Sequence, residues 1–115
     1  MRERLAAVGQ SVADGVMVAE TDNGRVIGWL HVALLTHLTD ASDAYILGLV
    51  VSEPARGKGV GTRLLREAEQ WALAKGATQL KLRSGSERER AHRFYERAGF
   101  RRVKTQVVFA KSLAD

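Results

Sequence analysis

Leu49-Val50-Val51-Ser52-Glu53-Pro54-Ala55-Arg56-Gly57-Lys58-Gly59-Val60-Gly61-Thr62-Arg63-Leu64-Leu65 is the stretch from which the fold is read. Its first residues end a nearly continuous apolar run, Tyr45 to Val51, the pattern of a central strand buried on both faces. Gly48 inside that run predicts a bulge or a close backbone approach. Pro54, the only proline, ends the strand. Beyond the turn, Leu64, Leu65, Ala68, Trp71 and Ala72 recur at helical spacing, and Lys75 with Gly76 supplies a cationic end and a stop. Three alternating glycines (57, 59 and 61) let the backbone bend tightly and turn consecutive N–H groups one way. Those groups sit at a helix N-terminus, where the first donors lack intrahelical partners and the dipole is positive. Arg56 and Lys58 add charge, so the turn is predicted to hold a phosphate or pyrophosphate. A flexible surface loop would explain the glycines, but not the cations with a strand before and a helix after.

Working outward, Val16 to Thr21 is β-rich, and Asp22-Asn23-Gly24 is a strong hairpin signal because Asn-Gly supplies positive φ at both turn positions. Arg25 to Leu35 returns as a strand, and Thr36 to Ser42 reads as a loop. Residues 1–13 read weakly as the end of a helix stopped by Gly9. Downstream, Thr78 to Arg83 alternates as a strand. Ser86 and Glu89 form a capping box for a second helix carrying Ala91, Phe94, Tyr95 and Ala98 on one face and closed by Gly99. Phe100 to Lys104 and Gln106 to Lys111 read as final strands. The order is βββαβαββ, a mixed α/β sheet in a single domain, 1–115, with antiparallel hairpins first and a βαβ unit after.

Two familiar phosphate loops do not fit the turn. A Walker loop needs Ser or Thr after Gly-Lys, and Gly59 stands there. A dinucleotide fingerprint needs a third glycine where Thr62 stands, and an acidic residue near Leu82-Arg83. Arg56-Gly57-Lys58-Gly59-Val60-Gly61 instead resembles the R/Q-x-x-G-x-G/A signature of the GNAT acetyltransferase superfamily, whose members bind acetyl-coenzyme A. Phe94-Tyr95-Glu96-Arg97-Ala98-Gly99-Phe100 is similar to that family's F-Y-E-x-x-G-F segment. The strand before the turn and the element order agree, so the resemblance covers about residues 14–113. Two features depart from the family pattern. Only Met1 to Gly9 stands where a first strand and one or two helices usually come, and Arg88 replaces a common asparagine.

The resemblance implies a GNAT-like acyl-CoA N-acyltransferase fold: a mainly antiparallel sheet with a central parallel pair splayed for the cofactor. It implies direct transfer of acetyl from acetyl-coenzyme A to a primary amine, on a small molecule or a protein, without a covalent enzyme intermediate. The N–H groups of Gly57, Lys58, Gly59, Val60, Gly61 and Thr62 would hold the pyrophosphate beside Arg56. The edge of Leu49, Val50 and Val51 would pair with the pantetheine arm. Tyr95 would protonate the departing thiolate, a thiol pKa near ~8.5 and a phenol near ~10 being close enough to share a proton. The strand positions where relatives carry a basic carboxylate hold Leu47 and Gly48, and Glu53 lies too near the phosphate end. Glu20, Asp43, His31 and His37 therefore all remain candidate bases. A module that holds coenzyme A or acyl-CoA without turnover is the alternative function.

Composition bounds these readings. With 115 residues, 45% hydrophobic and 27% charged, the chain is an ordinary globular domain able to bury roughly 65% of its unfolded surface. No cysteine is present, which excludes disulfides and a cysteine acyl-enzyme, and His31, His37 and His92 follow no metal-ligand spacing. No apolar run approaches the ~20 residues of a membrane span, and no signal peptide is evident, so a cytoplasmic protein is expected. Residues 1–53 carry three basic and seven acidic side chains, whereas residues 54–115 carry fifteen and six. The basic half would meet the cofactor's phosphates, and the acidic half, with Glu20, Asp22, Asp40 and Asp43, would favour a cationic amine. A nucleic-acid partner is not expected: Arg83, Arg88, Arg90, Arg93, Arg97, Arg101 and Arg102 come without stacking aromatics, and Arg90, Arg93 and Arg97 read as a solvated helix face. The short front end would leave an open sheet edge that a homodimer could cover.

Overall fold

The computed structural model describes residues 2–6, 14–36, 42–83, 89–104 and 107–114. The chain divides into two compact units, Met1–Arg83 and Ser84–Asp115. The first is a five-stranded sheet in sequence order: β1 (Arg2–Ala6), β2 (Asp14–Glu20), β3 (Val26–Thr36), β4 (Ser42–Val51) and β5 (Gln79–Leu82). β1 to β4 pair antiparallel; β4 and β5 are the parallel pair, joined by helix α1 (Val60–Ala74). The mixed sheet expected from the sequence is thus present, with one addition. Residues 2–6, read as a helix end, are a strand, in register from Arg2 opposite Glu20 to Ala6 opposite Val16. A short polar segment carries little β signal of its own; the exposed ladder of β2 supplies its hydrogen-bonding partners.

The core lies between the sheet and α1. Alternation along the strands sends Met17 and Ala19, Leu30 and Val32, and Ala44 and Ile46 inward. From the helix Leu64, Leu65, Ala68, Trp71 and Ala72, the face read from the spacing, meet them together with Val60. Gly28 lets the first turn of α1 lie flat on the sheet. A Cβ there would sit 3.1 Å from Val60 Cγ1 and 3.3 Å from Leu64 Cδ1. The helix ends as expected: Gly76 takes φ +82°, and the Ala77 N–H reaches back to Ala72 O at 3.0 Å.

Two local expectations are corrected here. The hairpin turns at Thr21–Arg25, but among the described residues positive φ is confined to glycines, so Gly24 has it and Asn23 does not. The Thr21 N–H donates to Arg25 O and the Gly24 N–H to Thr21 O, which is a four-residue turn closed by a left-handed glycine. The run Tyr45–Val51 is central but not buried on both faces: Leu47 is 60% and Val50 46% exposed, because α1 covers one face only.

In the second unit, helix α2 (Glu89–Arg97) ends with Gly99 at φ +99° and the Phe100 N–H on Tyr95 O. Ser86 of the expected capping box, and Arg88, lie outside the described residues. Residues 100–104 and 107–114 adopt no regular structure, against the expectation of two final strands. β-propensity is realised only where a partner ladder takes up the N–H and C=O groups, and Val103, Val107, Val108 and Phe109 are 74–91% exposed.

Candidate functional site: a glycine turn at the open end of a strand

β4 leaves its parallel neighbour early. Pairing with β5 runs from Asp43 opposite Gln79 to Ile46 opposite Leu82 and stops there. On the other side β4 stays paired with β3 as far as Val51 opposite Gly28. The ladder with β3 slips between Ile46 and Gly48, so Leu47 is an extra, bulged residue beside the glycine expected to mark such a place. A Cβ on Gly48 would lie 2.9 Å from the Trp29 ring, so close approach applies as well. From residue 47 onward, one edge of β4 has no strand against it among the described residues. The Ser52 N–H donates to Ile27 O of β3 at 2.8 Å. By strand alternation the backbone groups of Leu49 and Val51 then point to the opposite, open edge. Arg56 confirms the direction, since its Nε donates to Val51 O at 3.1 Å.

The chain then passes through a single 3-10 turn, Glu53–Ala55, started by Pro54, and enters the glycine turn. Gly57 has φ +79° and Gly59 φ +82°, with Lys58 between them outside the positive range. Alternating hand is what makes successive N–H groups converge into a concave donor set. Gly59 is the N-cap of α1, and no side chain caps the helix. The first intrahelical bond at this end runs from the Arg63 N–H to Gly59 O at 3.1 Å, and the donors ahead of it lie within the orphan turn of the helix.

Cations outnumber carboxylates around these donors, although Glu53 of the preceding 3-10 turn is also exposed. The first turn of α1 holds no acidic residue, and Arg56, Lys58, Arg63 and Arg66 are exposed around it. Cations near a helix N-terminus each cost about 0.3–1 kcal/mol against the dipole. An uncapped terminus ringed by cations is stable with an anion seated on it. A cleft of about 340 Å³ opens beside the turn, lined by Thr21, Arg25, Ile27, Ser52, Pro54, Ala55, Lys58 and Val60. Arg25 therefore joins Lys58 although it belongs to the acidic half of the chain. Sequence reasoning missed it; the antiparallel register, which starts β3 where β4 ends, was the signal that could have found it.

The remaining candidates fall in several places. Tyr95 lies in the second unit, half-buried between Phe94 (ring centroids 5.3 Å) and Phe100 (6.0 Å). Asp43 is buried and ion-paired to Lys81 at 2.8 Å, which raises the lysine's pKa through hydrogen bonding and charge from Asp43. Glu20 is buried at the hairpin end of β2, and His31 stands 3.6 Å from Asp14. His37 and Asp40 lie outside the described residues. Arg90, Arg93 and Arg97 are exposed, as a solvated face requires. Among the described residues no three His, Asp or Glu groups converge to hold a metal, and no helix is long and apolar enough to cross a membrane.

The model of the acetyltransferase (GNAT) family matches residues 2–100. The chain belongs to that family. It is 38% identical over 92 residues to an aminoalkylphosphonate N-acetyltransferase of Salmonella typhimurium, a match covering 79% of this chain and 58% of that one. It is 32% identical over 83 residues to N-alpha-acetyltransferase 30 of Schizosaccharomyces pombe, covering 72% and 55%. The chain thus spans little more than half the length of these relatives. Among solved structures, a putative acetyl transferase from Pyrococcus furiosus superposes with a TM-score of 0.74 at 28% identity, over 87% of this chain and 66% of that one. The aminoglycoside N-acetyltransferase AAC(6')-Iy in complex with CoA gives 0.82 at 18% identity, over 90% and 79%, a likeness of fold.

Proposed function

We propose that this GNAT chain is an acetyl-coenzyme A-dependent N-acetyltransferase acting on a primary amine. The observation that carries the reading is the uncapped, cation-ringed N-terminus of α1, set directly after a strand whose edge is open from residue 47 to 51. The N–H groups from Gly57 to Thr62 take the diphosphate; hydrogen bonds to a charged group contribute about 1.5–3 kcal/mol each. The pantetheine arm lies along the open edge of β4 and pairs with Leu49 and Val51 as an added strand would. Arg56, tied to Val51 O, holds the strand end and the turn in one geometry. A backbone donor on this edge polarises the thioester carbonyl, an effect typically worth ~3 kcal/mol in the transition state. By its place in the Phe94–Phe100 motif, Tyr95 is assigned the proton for the departing thiolate.

The named substrate of the Salmonella relative and the aminoglycosides of the structural neighbours favour a small-molecule acceptor. The test is calorimetric titration with coenzyme A, then thiol release from acetyl-coenzyme A with aminoethylphosphonate, an aminoglycoside and spermidine. Binding with release supports the transferase. Binding without release from any amine makes the chain a coenzyme A-holding module, and no binding overturns the site.

A further inference from the structure

An amine at neutral pH arrives as an ammonium and must lose a proton before it can attack, and the groups assigned so far do not take it. Odd-numbered residues of β3 point away from α1. Trp29, His31 and Ala33 share that second face with Asp14 and Val16 of β2 and with Gly48 and Tyr45 of β4. On it His31 and Asp14 are diagonal neighbours, since Val16 stands opposite His31 and Asp14 opposite Ala33. His31 Nε2 is 3.6 Å from Asp14 Oδ1, is buried, and makes no hydrogen bond, while both side chains keep about a third of their surface (31% each). A buried ring nitrogen aimed at a carboxylate, on a partly exposed ring, is the arrangement of an oriented base.

Its position supplies the second reason. Across the β3–β4 ladder His31 is registered with Gly48, two residues past the last pairing of β4 with β5. The Trp29 ring lies over the same glycine. By register the imidazole and the indole therefore both stand at the start of the open edge, and an aromatic ring there suits an ammonium. By register Arg4 of β1 also shares this face, and on its β4–β5 side Asp43 is paired to Lys81, whose Nζ is also 5.8 Å from the Tyr45 ring centroid.

We infer that His31 is the catalytic base for the acceptor amine and that Asp14 is the positioning residue that keeps the ring proton on Nε2. This rests on the transferase reading above. Nδ1 takes one proton from the ammonium, and Asp14 stabilises the imidazolium. The freed lone pair forms the C–N bond at the thioester carbonyl, and the C–S bond breaks with its electron pair on sulfur. The second nitrogen proton ends on sulfur as the thiol, and the proton on His31 passes to water.

The experiment compares wild type and His31→Gln by thiol release at pH 7 with two acceptors: the best alkylamine of the panel, present as ammonium, and methoxyamine, present mostly as the neutral base. Expected is a kcat loss of about 10²–10⁴-fold with the alkylamine, but within about 10-fold with methoxyamine. Coenzyme A affinity, unchanged, reports the fold, and added imidazole restores His31→Ala. Asp14→Asn shifts the neutral ring toward the Nδ1–H tautomer in ¹⁵N spectra of the free protein, and Asp14→Glu restores it. Equal losses with both acceptors, no loss with the alkylamine, or no tautomer change in Asp14→Asn overturns the assignment. A wild type that binds coenzyme A but releases no thiol overturns the transferase reading instead, and the role of His31 falls with it.

Discussion

Gly59→Ala isolates the conformational requirement of the turn. Gly59 holds φ +82° and ψ 6°, and a Cβ built on it meets nothing within 4 Å. The substitution therefore brings no steric clash, only the intrinsic cost of a left-handed L-residue, about 1–2 kcal/mol. That cost is shared between folding and binding. If alanine keeps the left-handed geometry in the free protein, unfolding in urea shows the whole loss and coenzyme A affinity is unchanged. If the free turn relaxes to negative φ, stability recovers, the donors diverge, and binding must restore the geometry. The urea loss and the loss of binding free energy then sum to about 1–2 kcal/mol, which caps the fall in affinity at roughly 5–30-fold. Gly59→Asn, a residue that tolerates this region, should recover part of the loss in both readouts. The assays are equilibrium urea unfolding and calorimetry on the same preparations. Summed losses below about 0.3 kcal/mol would mean that no left-handed residue is needed at 59, and the proposed donor geometry would be wrong.

Leu64, fully buried between α1 and the sheet, should cost about 2–5 kcal/mol on replacement by alanine, read by urea unfolding with an unchanged m-value. Lys81 has a folded pKa raised above its ordinary 10.5 by Asp43, so its contribution to stability is fully present below that value and lost as pH climbs through the higher folded one. Lys81→Met should therefore narrow its stability gap to wild type between pH 9 and the alkaline end of a denaturation series; a constant gap would refute the ion pair. Gly48→Ala pushes against the rim of the half-exposed Trp29 ring, which can swing away, so stability should fall by less than about 1.5 kcal/mol while the tryptophan emission shifts. Raising salt from 50 to 500 mM should weaken coenzyme A binding, because the cations around Gly57–Thr62 are exposed and screened.

Locally encoded features were legible in the residues alone. The alternating glycines, the proline before them and the periodicity of residues 64–72 act within one or two turns of chain, so the turn, the helix and the donor set at their junction could be read without neighbours. Gly48 likewise announced a bulge, and Gly76 and Gly99 the helix ends. Strand pairing is different, because a strand is completed by a ladder that lies far away in sequence. Arg2–Ala6 becomes a strand through the edge of β2, while residues 100–104 and 107–111, richer in β-branched and aromatic side chains, form no strand. The early parting of β4 from β5, the seat of Arg25 beside Lys58 and the approach of His31 to Asp14 are matters of register between strands. A slip of one residue would turn each of those side chains to the other face, and tertiary pairing alone decides it.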